Sequence, residues 1–152
     1  MGESKPVQVL IVEDNLGDIE LAKAALCETS LSIELHVARN GEEAMRFMRR
    51  EGDYAGSPTP DLVLLDLNMP KMGGLEVLEH MKSDEDLRLI PVVVFTTSSA
   101  REDVEGAYDR YANCYITKPA DLDDLVKVVN AIEAFWLTVV RLPRRAAPAS
   151  RL

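Results

Sequence analysis

Cysteine is nearly absent from this chain: Cys27 and Cys114 are the only two among 152 residues. So few, and at no metal-finger spacing, exclude a disulfide framework and a structural zinc site, and leave two reduced core thiols. Uninterrupted apolar stretches are short as well. None approaches the ~20 residues needed to span a bilayer, and no basic stretch followed by an apolar one opens the chain, so no secretory signal is legible. Positive charge is in deficit. Lys and Arg number 17 against 26 Asp and Glu, a net charge of −9. Four of those cations (Arg141, Arg144, Arg145, Arg151) lie in the last twelve residues, where no acid falls. A body this acidic lacks the basic face that nucleic acid requires, which argues against DNA binding. The expectation is a soluble, cytoplasmic protein with one domain's worth of core.

What the sequence does have is five short apolar runs, at 7–12, 33–38, 62–66, 92–96 and 114–117, alternating with amphipathic stretches. Three are apolar at almost every position rather than every second one, the mark of strands covered on both faces in a parallel sheet. Helix starts are signalled between them. Asn40 and Ser99 are each answered by a glutamate three positions later, Glu43 and Glu102, and Asp121 can cap the last helix with Asp124 in its first turn. A further helix follows Met72-Gly73-Gly74 and carries Leu75, Leu78 and Met81. The Gly, Ser and Pro of 51–60 predict a surface loop. Strand–helix repeated five times predicts a right-handed α/β sheet filling one domain at 7–142, with 143–152 a disordered tail.

The polar residues of interest close these runs. Glu13 and Asp14 follow the first, Asp66 the third, Thr96 ends the fourth and Lys118 follows the fifth. In an open parallel sheet, ligands gather outside the carboxyl ends of the strands where the strand order reverses. Two carboxylates ~4 Å apart repel by ~4 kcal/mol at an effective dielectric of about 20, so three in one pocket need protons or a cation. Magnesium, a hard ion that uses one or two carboxylates plus a phosphate, resolves that conflict, with manganese as the alternative. Asp66 is then placed to form an aspartyl phosphate. Lys118 supplies positive charge and Thr96 a hydroxyl for the phosphoryl oxygens.

Together, Glu13-Asp14-Asn15, Asp66-Leu67-Asn68-Met69-Pro70, Phe95-Thr96 and Thr117-Lys118-Pro119 resemble the signature of two-component response regulator receiver domains, over about residues 7–138. The resemblance implies a doubly wound, flavodoxin-like sheet of order 2-1-3-4-5 flanked by five helices. It implies Asp66 as phosphoacceptor, Glu13, Asp14 and the Asn68 backbone carbonyl as metal ligands, and Thr96 and Lys118 as phosphoryl contacts. It further implies Tyr115 as an aromatic switch coupled to Thr96, and a cis Lys118–Pro119 bond. The sequence departs from the pattern at Thr97, where receivers commonly carry alanine, and Asn68 and Ser98 occupy positions that tune phosphoryl lifetime in the family.

The expected protein is therefore a stand-alone phosphoacceptor rather than an enzyme acting on other molecules. With only a short tail after the receiver, output must pass through protein contacts or to a downstream phosphotransfer protein. The last helix predicts such a contact. Leu122, Leu125, Val129, Ile132 and Trp136 form an inward stripe, yet Val128, Phe135, Val139, Val140 and Leu142 add apolar surface beyond one face. Val128, Phe135, Trp136 and Val139 are accordingly the candidate dimer or partner surface, and a homodimer is expected. Residues 135–143 resemble the C-terminal segment of regulators partnered with phytochromes, which implies a phytochrome-type sensor histidine kinase as partner. Two rival readings are an aspartate-nucleophile phosphatase, against which Asn68 stands where a second acid belongs, and a dimeric adaptor indifferent to phosphorylation.

Overall fold

Residues 5–27 and 32–143 are described by the computed structural model. The expected tail at 143–152 lies, apart from Pro143, outside the described residues. The chain runs β1 (Val7–Val12), α1 (Leu16–Cys27), β2 (Ile33–Ala38), α2 (Gly41–Arg49), β3 (Leu62–Leu65), α3 (Gly74–Ser83), β4 (Val92–Thr96), α4 (Arg101–Asp109), β5 (Cys114–Thr117) and α5 (Leu122–Ala134). All neighbouring strands pair in parallel, in the order β2-β1-β3-β4-β5. The predicted doubly wound fold is thus observed, and β3 and β4 are buried at every position and apolar at all but Thr96.

Period-two alternation divides the core into two layers. Leu10, Val12, Val63, Leu65, Val92 and Val94 face α2, α3 and α4, where they meet Met45, Val77, Leu78, Met81 and Ala107. Val9, Ile11, Leu62, Leu64, Val93 and Phe95 face α1 and α5 and pack on Ala22, Leu26, Leu125, Val129 and Ile132. Among the described residues, no helix is long and apolar enough to cross a membrane.

Local signals hold at two helix starts and shift at a third. Asn40 accepts from the Glu43 amide at 2.8 Å, and Asp121 from Asp123 at 3.0 Å. Ser99 does not cap α4, contrary to expectation; the cap is Ala100, and the neighbouring Ser98 hydroxyl, which donates to Asp103, takes the Ala100 amide instead. The Lys118–Pro119 bond is trans, correcting the cis bond implied by resemblance; trans is intrinsically favoured by about 0.5–1 kcal/mol.

The inward stripe of the last helix needs the largest revision. Leu125, Val129 and Ile132 are buried, but Leu122 is 63% exposed at the solvent-facing first turn. Beyond Ala134 the helix winds into a π-turn, Phe135–Val139. Its wider wind inserts one extra residue per turn, so Leu137, five after Ile132, is buried, while Trp136 is half-buried against the same core. Of the four candidate contact residues, Phe135 (52%) and Val139 (71%) are exposed; Val128 and Trp136 pack against the domain.

Candidate functional site

Strand register assembles the site. Val12 pairs with Leu65, so the next residues, Glu13 and Asp66, leave adjacent strands side by side. Backbone bonds fix both: the Glu13 amide donates to Ala38 O and the Asp66 amide to Val12 O, each at 3.0 Å. The loop after Asp66 is held by close backbone contact. A Cβ on Gly74 would sit 2.4 Å from Asp66 O and 2.7 Å from Leu67 Cα, so only glycine lets α3 begin here.

Glu13, Asp14 and Asp66 each offer a carboxylate oxygen, all within 4.8 Å of one another. Glu13 and Asp66 are buried; Asp14 is partly open. The Asn68 amide donates to Asp66 Oδ1 at 3.4 Å, which sets Asn68 beside the acceptor. Thr96 ends β4, fully buried.

Lys118 supplies the one ammonium of this cluster. Its amide donates to Thr96 O at 2.7 Å just past β5, two strands from β3. The side chain runs back over the Phe95 ring, 5.6 Å from its centroid, an attractive cation–π arrangement. Its Nζ lies 3.9 Å from Asp66 Oδ2, donates to Asp18 Oδ2 at 2.9 Å and pairs closely with Glu13 Oε2. Burial pushes the Glu13 carboxyl up to about 7, with Asp66 adding to the rise and Lys118 only partly opposing it. Burial alone would lower Lys118, but its carboxylate partners prevail and its pKa is raised.

This donor set fits a divalent cation. Three crowded oxygen ligands, one of them pushed by burial toward its protonated form despite the adjoining ammonium, are what a hard metal relieves. Sequence reasoning missed Asp18. It lies in the first turn of α1, three residues after Asn15, whose side chain accepts the Asp18 amide at 2.9 Å. An acid one helical turn past Asp14, on a helix starting at a strand end, was the available signal. Asp18, Glu13 and Asp66 also border a cavity of about 20 Å³ floored by Ile11, Leu64 and Phe95, room for one water molecule.

Tyr115 has no hydrogen bond to the acids among the described residues. Its ring packs against the core and its hydroxyl donates to Ser98 O at 2.8 Å, a link between β5 and the loop after Thr96. Thr97, the residue after Thr96, is exposed.

Comparison with known proteins agrees with this geometry. Residues 9–130 match the response regulator receiver domain model. The chain is 47% identical to the response regulator Rcp1 of Synechocystis over 93% of its own length and 97% of that protein's. It is 39% identical to a probable methanogenesis regulatory protein, FilR2, of Methanothrix harundinacea, covering 91% and 88% of the two chains. Among solved structures, the Mn(2+)-bound form of Rcp1 superposes with a TM-score of 0.90 at 46% identity, over 91% of this chain and 100% of that one. The phosphorylated cyanobacterial phytochrome response regulator RcpA gives the same score and identity over 92% and 100%.

Proposed function

We propose, for a chain that belongs to the response regulator receiver family, that Asp66 accepts a phosphoryl group from a phosphohistidine of a sensor histidine kinase. A carboxylate oxygen of Asp66 forms the new bond to phosphorus, the phosphorus–nitrogen bond breaks, and the histidine leaves with the electron pair. The single observation carrying this reading is the buried Asp66 carboxylate, with Lys118 Nζ at 3.9 Å and two further acids within 4.8 Å.

Glu13, Asp14, Asp66 and the Asn68 carbonyl would hold magnesium, or manganese in its place. The ion, when bound, neutralises charge on the transferring oxygens. Lys118 adds a second positive charge, its side chain lying over the Phe95 ring, and Thr96 offers a hydroxyl donor. Added charge on Asp66 draws Thr96 and, through Ser98 and Tyr115, biases the α4–β5–α5 face. The protein turns over no external substrate and acts in the cytoplasm through the receiver over 7–142. It signals through protein contacts, among them a homodimer using Phe135 and Val139, or through a downstream phosphotransfer protein. The similarity to RcpA, a phytochrome response regulator, supports a phytochrome-type kinase as its donor.

The test is incubation with acetyl phosphate and magnesium, read by intact mass. One base-labile phosphoryl adduct is expected, and it does not form when chelator replaces magnesium in the incubation or in Asp66→Asn. An adduct that persists in Asp66→Asn overturns the assignment.

A further inference from the structure

Lys118 does not stop at Asp66. Its ammonium passes that residue at 3.9 Å and makes its closest contacts beyond it, with Glu13 and with Asp18 at 2.9 Å. Asp18 stands outside the three-acid cluster. A cation held by Glu13, Asp14 and Asp66 therefore leaves Asp18 as the uncommitted carboxylate on Lys118. Nor can Asp18 follow the ammonium toward Asp66, because the bond from its amide to Asn15 Oδ1 fixes it in the first turn of α1.

We infer that Asp18 is a positioning residue that holds the Lys118 ammonium back on the α1 side of Asp66, in competition with any phosphoryl group that Asp66 carries. This rests on the phosphoacceptor reading above. An ammonium is a compact charge with three donors on a flexible stem, so its location is set by the strongest acceptors within reach. The Asp18 side chain is 27% exposed, which puts the pair between a weak surface bridge and a fully desolvated one. Neutralising Asp18 has two opposite effects. Lys118 is released to the phosphoryl oxygens, and the acidic pocket loses one negative charge that attracts a divalent cation.

The experiment uses beryllofluoride, a phosphoryl mimic, and magnesium on the whole chain. In Asp18→Asn, beryllofluoride at saturating magnesium binds about fivefold tighter, ~1 kcal/mol, while magnesium alone binds more weakly. Asp18→Glu, which keeps the charge, stays close to the unaltered protein in both. Asp18→Ala serves as the neutral variant should Asp18→Asn fail to fold. A structural role for Asp18 would loosen both ligands together. That result, unchanged beryllofluoride affinity, or a Glu variant that behaves like Asn, overturns the inference while leaving Asp66 as acceptor. Failure of the unaltered protein to bind beryllofluoride sinks the phosphoacceptor reading itself, and this inference with it.

Discussion

Lys118 and Glu13, 105 residues apart in sequence, meet as a buried ion pair at the carboxyl edge of the sheet. The pair does not fully compensate Glu13, whose carboxyl rises from 4.5 to about 7 because burial outweighs the ammonium's attraction.

A pH dependence follows from that shift. Between pH 4.5 and about 7 the folded protein keeps a proton on Glu13 that the unfolded chain has released. The Glu13 contribution is thus complete below 4.5 and is lost as pH rises through about 7. In chelator, the stability of the unaltered protein relative to Glu13→Gln falls by ~1–2 kcal/mol from about pH 5 to about pH 8. Urea unfolding midpoints of both proteins measure it; a difference that does not change with pH contradicts the assignment. Magnesium returns part of the loss at the higher pH.

Gly74 constrains Asp66 from outside the acidic cluster. In Gly74→Ala, a Cβ placed 2.4 Å from Asp66 O must displace backbone rather than a flexible side chain. The expected cost is about 1–3 kcal/mol of stability, together with slower phosphorylation by acetyl phosphate as Asp66 shifts against Glu13 and Asp14. Phosphorylation at the unaltered rate in a folded Gly74→Ala protein would show that the loop adjusts elsewhere.

The proposed dimer is tested at the two exposed residues. Phe135→Ala and Val139→Ala weaken self-association in sedimentation velocity; Val139→Ala leaves monomer stability within about 0.5 kcal/mol, and Phe135→Ala costs about 1 kcal/mol through its edge contact with Trp136. Trp136→Ala acts oppositely: it destabilises the monomer, because the indole packs on the Val129–Ile132 layer. Dimerisation untouched by both exposed substitutions discards this surface.

Strand positions were legible because buried parallel strands need continuous apolar runs, and 62–65 and 92–95 have no other use for theirs. The acids, Lys118 and Thr96 were legible for a related reason: a charged or hydroxyl residue closing such a run has nowhere else to go but the sheet's carboxyl edge. Asp18 was not, since an acid in a first helical turn is ordinarily explained by the helix dipole. Ser99 misled because Ser98 offers the same hydroxyl one residue earlier, with Asp103 placed to receive it. Leu137 was passed over because a period of 3.6 leaves it off the inward stripe, whereas the wider wind buries it beside the half-buried Trp136.

That wider wind after Ala134 makes the outward identity of the C-terminal segment a matter of phase. Five consecutive residues, Phe135 to Val139, include four that are apolar, so composition cannot decide which of them meets solvent. A homologue with the same letters but ordinary winding would hide a different subset. Relatives aligned without a gap across this stretch can therefore present unlike surfaces, and recognition there can diverge by a slip of helical turn with no substitution at all.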